Sequence, residues 1–204
     1  KRNNNYELEL FFETKKLYKH RFEVEYTTIN KDYFESRVEG FFVLKPELVG
    51  FRYDFDTNNT KDLVFSAEID GQRSMDEYYE EKNHKIESAV GVDYKVSDRV
   101  NLSTGLGISF EKDDLGYAGS QDQEVIIGLR DVKVNQAMLE MNYNFNSYKG
   151  FALEIRNYWS SVNYKNYYSL QENGLGVIVN NYPLEDNPNT NFNIWNLDLS
   201  YNWR

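Results

Sequence analysis

Apolar and polar residues alternate with a strict period of two in segment after segment of this chain. Leu63, Phe65, Ala67 and Ile69 fall on one face, and Asp62, Ser66, Glu68 and Asp70 on the other. Val100, Leu102, Thr104, Leu106, Ile108 and Phe110 alternate with Asn101, Ser103, Gly105, Gly107 and Ser109. The same pattern runs from Ile86 to Val96 and from Trp195 to Arg204. Further strands fit Tyr6 to Thr14, His20 to Thr28, Leu48 to Asp56, Asn135 to Phe145 and Phe151 to Tyr164. Side chains of a strand point to opposite faces in turn, so this periodicity dictates β-structure with one apolar face. It predicts roughly nine strands of about 9–14 residues, longer than the ordinary strand. No segment shows a helical period, although Met75 to Lys82 has room for one short turn.

Composition narrows the environment. Mean hydropathy is −0.73 and the net charge is −10, with 33 acidic against 23 basic residues. That balance argues against a nucleic-acid partner, which needs clustered Lys and Arg. The chain has no cysteine, so it has no disulfide, thiolate metal site or cysteine nucleophile. An aromatic content of 16% speaks against disorder. No apolar run is long enough for a membrane-spanning helix. A membrane-spanning barrel remains open, because alternation dilutes its average hydropathy.

The joins carry a second signal. Lys15–Lys19, Thr57–Lys61, Ser97–Arg99 and Asn146–Gly150 are short, and most are rich in turn-forming residues. Between them lie long polar stretches: Asn30–Glu47, Gly71–Asn83, Lys112–Gln123 and Lys165–Asn191. Short and long joins alternate, which in an antiparallel meander puts all turns at one end and all loops at the other. The expected fold is all-β: an antiparallel up-and-down transmembrane β-barrel, or a large part of one. Residues 1–204 read as a single barrel segment, a fragment of a longer chain whose last strand stops in mid-alternation at Arg204.

On that reading the apolar face meets the lipid bilayer, and aromatic residues mark the two edges of a band about 25 Å tall. The expected girdle comprises Phe55, Tyr94, Tyr143, Phe145, Phe151, Tyr201 and Trp203 beside short turns, with Phe110, Trp159 and Trp195 at the loop end. The opposite face carries Arg52, Glu68, Glu87, Asp93, Glu154, Arg156 and Asp198, expected to line a polar lumen. The same alternation fits a soluble β-sandwich or lipocalin-like barrel, with its apolar face turned inward. For any single charged residue, a solvated face without specific chemistry is the simpler explanation.

No catalytic residue is expected. His20 and His84 stand without partner motifs, for which a surface or lumen role is the default, and no nucleophile elbow, zinc-protease motif or phosphate loop occurs. Asp76, Glu77, Glu80 and Glu81 offer hard oxygens but lack the spacing of a calcium loop, so neither metal nor cofactor is expected. Lys112-Asp113-Asp114-Leu115-Gly116-Tyr117 is equally unspecific. The Tyr- and Asn-rich segment Tyr158–Tyr182 suits stacking on sugar rings, and loop packing explains it as well.

Three stretches go beyond pattern. They are Gly40-Phe41-Phe42-Val43-Leu44-Lys45-Pro46-Glu47, Gly128-Leu129-Arg130-Asp131-Val132, and Arg156-Asn157-Tyr158-Trp159-Ser160-Ser161-Val162-Asn163-Tyr164. The last is followed by Tyr167 to Gly174 and Asn189-Thr190-Asn191-Phe192-Asn193. Together they resemble the C-terminal outer-membrane β-barrel domain of unknown function in Bacteroidetes-type proteins, where it follows a domain similar to family-9 carbohydrate-binding modules. The resemblance implies a bacterial outer-membrane location, an upstream domain, and a turn and one more strand beyond Arg204. It supplies no catalytic residues. The expected function is therefore an anchor or channel for a surface or periplasmic binding module, with the bilayer and other outer-membrane proteins as partners. The alternative is a soluble sandwich or barrel binding carbohydrate through its Tyr/Asn-rich loops.

Overall fold

The computed structural model describes residues 4–75, 82–121, 124–179 and 187–203. Nine strands form one antiparallel meander: β1 (Asn5–Glu13), β2 (Lys19–Thr27), β5 (Leu48–Asp56), β6 (Leu63–Ser74), β7 (His84–Ser97), β8 (Val100–Gln121), β9 (Glu124–Asn146), β10 (Lys149–Leu170) and β12 (Thr190–Trp203). A short β11 (Gly176–Ile178) pairs with the far end of β10, and β3 (Asn30–Asp32) with β4 (Val43–Lys45) makes a separate two-stranded sheet. β1 and β12 lie at opposite ends of the meander and do not pair with each other, so the described sheet is open.

Four short joins all fall at one end of the sheet, where side chains fix the turns. Asn58 Oδ1 accepts from the amide of Thr60, and Asn146 Oδ1 from that of Tyr148. Such Asx contacts replace the ladder bonds that a chain loses as it reverses. The opposite end differs from expectation. Lys112–Gln123 is not a long loop: β8 continues to Gln121 and β9 resumes at Glu124. Lys165–Asn191 likewise begins as strand through Leu170, so much of the expected Tyr/Asn-rich loop belongs to β10. Three neighbouring strands of 22, 23 and 22 residues therefore project well past the rest of the sheet. The acidic residues Asp76, Glu77, Glu80 and Glu81, the end of the Tyr-rich segment at Tyr182, and Arg204 lie outside the described residues.

Two bulges mark where this projection begins. β8 gains residues against β9 between Glu111 and Asp114, with Asp113 in the left-handed conformation at φ 56°. β10 slips against β9 between Tyr164 and Asn166. Both irregularities flank Arg130 of β9, which pairs with Asp114 on one side and Tyr164 on the other. Bulges bend a strand and raise its twist, so the sheet is creased at this level.

Below the crease, register carries one apolar face across all nine strands. Leu8 pairs with Val24, Val24 with Phe51, Tyr53 with Ile69, and Val90 with Leu106. Leu139 pairs with Ile155, which pairs with Leu197. This face is open: Leu8 is 75% exposed, Leu106 59% and Leu197 66%. Beyond the crease the reverse holds. Val125, Ile126, Ile127 and Leu129 are buried and, with Leu115, Tyr168, Leu170 and Val43, make up nearly all of the buried hydrophobic side chains among the described residues. The segment between β2 and β5, through Val38, Phe41 and Val43, packs onto this cluster as a cap. Gly174, at φ 84°, lets the turn after β10 close against the Phe42 ring, and its carbonyl accepts from the Leu44 amide at 2.8 Å.

Candidate functional site

All seven expected lumen residues lie on one face. Arg52 pairs in register with Asp70, which pairs with Glu87, and Asp54 with Glu68. Asp93 pairs with Ser103, and Glu154 with Asp198. They form separate groups. Arg52 bridges Asp54 and Glu68 at 3.0 Å each. Arg156 joins Glu154 at 3.1 Å and Asp198 at 2.9 Å across β10 and β12. Glu87 is held by Lys85 at 2.9 Å, and Asp93 accepts from the Ser103 hydroxyl at 2.6 Å.

This charged face is also the hollow one. A cavity of about 610 Å³ is lined mainly from it, by Arg21, Arg52, Asp54, Asp56, Ser66 and Glu68 among others. Two further hollows of about 220 and 450 Å³ continue along it over β7 to β12. Their floor is low because Ala89, Gly91, Gly105 and Gly107 project little or nothing into them.

The ten expected girdle residues fall on the opposite, apolar face. Phe145 meets Tyr143 edge-on at 4.5 Å and Tyr201 at 6.4 Å, and Phe151 pairs with both Tyr143 and Tyr201. Phe55 touches Tyr18, His20 and Phe65 at the turn end. Tyr94 pairs with Leu63 near the same end, and Trp195 and Trp203 flank the apolar row of β12. Phe110 and Trp159 do not sit beside loops as expected. Each lies within a long strand, with Lys133 over the Phe110 ring and the Trp159 indole donating to Asn191 Oδ1 at 2.8 Å. His20 is not a lumen residue: it stacks on Phe12 and shares a 2.9 Å hydrogen bond with the Tyr53 hydroxyl on the apolar face.

A second cluster, at the crease, was not expected. Arg130 reaches Asp114 at 2.7 Å, Glu35 of the cap at 3.4 Å and the Tyr164 hydroxyl at 3.2 Å. Tyr164 in turn donates to the Tyr117 carbonyl at 2.6 Å, and Glu35 accepts from the Tyr117 amide at 2.8 Å. Lys45 of β4 donates to the Leu115 carbonyl and lies 3.4 Å from Asp114. Lys165 bridges Asp113 and Asp131 at 2.7 Å each. Gly116 lies under the Arg130 guanidinium, where any Cβ would collide. Burial opposes charge on Asp114, but Lys45 and Arg130 outweigh it and hold the carboxyl below its ordinary range.

This cluster fastens the cap to the projecting strands. Its members come from stretches already conspicuous in the sequence: Lys45 from the Gly40–Glu47 stretch, Arg130 from Gly128–Val132, and Tyr164 from the end of Arg156–Tyr164. Lys112–Tyr117, unspecific by itself, supplies Asp113 and Asp114.

A family model described as "Domain of unknown function (DUF5916)" matches residues 1–204. The chain belongs to that family. In this DUF5916 member the resemblance-bearing stretches are thus structural partners, gathered at one end of the sheet. No curated protein and no solved structure matches it.

Proposed function

We propose that this chain is the membrane-embedded part of an outer-membrane β-barrel, serving as an anchor or channel for a surface or periplasmic module. One observation carries the reading. Within single strands, apolar residues are buried at the projecting end and half-buried to exposed in the rest. In β9, Ile127 is fully buried and Leu139 is 44% exposed. In β8, Leu115 is 8% exposed and Ile108 47%. Water makes a fold bury such rows, and lipid does not. An exposed apolar band several strands wide exceeds the patches of soluble monomers, unless a partner covers it. Polarity is inverted below the crease, with ion pairs in the hollow and leucines outside, as in barrels with a wet interior.

A soluble sandwich needs a second layer over this apolar face, and β3–β4 is the only other sheet among the described residues. Carbohydrate binding through Tyr158–Tyr182 has less support, because Tyr164 bonds within the crease cluster and Tyr168 is buried.

The test is extraction and migration of the full-length protein. The expected results are recovery from the outer membrane only with detergent, and a gel mobility that changes on heating. A correctly folded full-length protein that stays in solution without detergent overturns the proposal.

A further inference from the structure

Resting on the barrel reading, we propose that the hollow face is a cation-selective path, one that admits small cations and turns anions away. Carboxylates are sorted onto this face without exception in the nine meander strands below the crease. β1 and β2 contribute Glu7, Glu9, Glu13, Glu23 and Glu25. β5 and β6 contribute Asp54, Asp56, Glu68 and Asp70. Glu87, Asp93, Glu111, Glu140, Glu154 and Asp198 complete the set. The basic side chains on the same face are Lys19, Arg21, Arg52, Lys85, Lys95 and Arg156. Fifteen acids against six bases leave nine negative charges here, nearly the whole net charge of −10.

Position matters as much as the sum. Glu9, Glu23, Arg52, Asp70 and Glu87 occupy one cross-strand row, four carboxylates interrupted by a single guanidinium. That guanidinium is already engaged by Asp54 and Glu68 from the adjacent row, so it neutralises little of its own. Rings of acids in a water-filled passage raise the local concentration of cations and repel anions. The hollows over this face give ions room, and the Ala89, Gly91, Gly105 and Gly107 floor keeps its centre low.

The experiment is a zero-current potential across a neutral-lipid planar bilayer holding the full-length protein, under a tenfold KCl gradient. The expected sign is that of a K⁺-preferring pore. The variant combining Glu9→Gln, Glu23→Gln, Asp70→Asn and Glu87→Gln is expected to lower the cation-to-anion permeability ratio by about half, and Arg52→Gln to raise it. Should the fourfold variant fail to insert, the wild type still tests the idea. Its selectivity is expected to shrink as salt rises from about 0.1 to about 1 M, because the Debye length shortens from about 10 to about 3 Å. Heat-modifiable protein that conducts nothing, prefers Cl⁻ or keeps its selectivity in 1 M salt overturns the inference and leaves the barrel reading standing. Wild-type protein that is not heat-modifiable fails the barrel reading, and the inference with it.

Discussion

The two halves of β9 run between the same two strands and have opposite burial, and β8 shows the same reversal beside it. On the apolar face of β8, Leu106, Ile108 and Phe110 are exposed, while Leu115 beyond the bulge is covered. β9 repeats this, from the exposed Leu139 to the sealed Val125, Ile126 and Ile127. Backbone geometry and propensity are shared, so neither accounts for the difference. What differs is the cover: the segment from Val38 to Val43 reaches only the projecting end. One chain thus contains a part organised for water and a part whose organisation suits hydrocarbon.

That contrast is open to direct attack, starting with the charges that fasten the cap. Asp114→Asn leaves Arg130 and Lys45 short of their carboxylate in a buried setting, and is expected to destabilise the cap by about 3–5 kcal/mol. Protease nicking within residues 33–42, absent from the wild type, is the readout. Ile127→Ala empties a fully buried site and is expected to cost about 2–5 kcal/mol by the same assay.

Leu106→Arg probes the other half. In a bilayer a cation on the lipid face near mid-depth costs about 2–4 kcal/mol, measurable by reversible unfolding from vesicles. On a water-facing surface the same exposed site tolerates the change to within about 0.5 kcal/mol. A cost that small breaks the comparison.

Acid separates the halves more gently. The Asp114 pKa is depressed in the fold, so its stabilisation is complete above the ordinary Asp pKa of about 3.9 and is lost as pH falls through the depressed value. Hydrogen exchange in cap amides is expected to quicken at the acid end in the wild type and to lose that limb in Asp114→Asn. The smallest effect belongs to Asp198→Asn, whose exposed pairing with Arg156 predicts no measurable change in unfolding midpoint.

The apolar band was legible from sequence because period-two alternation is local: Leu102 to Phe110 declares its face without reference to any partner. The extent of the long strands was not legible. Lys112-Asp113-Asp114, Arg130-Asp131 and Lys165-Asn166 place charges where alternation demands apolar residues, and two of the three coincide with bulges that shift its phase. Those charges satisfy one another across strands, and a single strand carries no record of that. For the same reason the crease cluster escaped notice. Glu35, Lys45, Asp114, Arg130 and Tyr164 come from five separate places in the chain, and only the fold makes them neighbours. Which face His20 takes was not legible either, because its partners, Phe12 and Tyr53, sit on strands either side.

The paired bulges at Arg130 also govern how this molecule tolerates changes in length. Side chains on a strand switch face with every residue, but β8 spends three steps from Glu111 to Asp114 where β9 spends two from Val132 to Arg130. Deleting Asp113 alone would remove the bulge and leave Asp114 opposite Arg130, whereas deleting one residue beyond it, such as Gly116, would turn Tyr117 to the other side. Losing or gaining two residues beyond the crease preserves every facing. Past the bulge the projecting end is therefore free to lengthen or shorten only in even steps, while the sheet below the crease keeps its own phase.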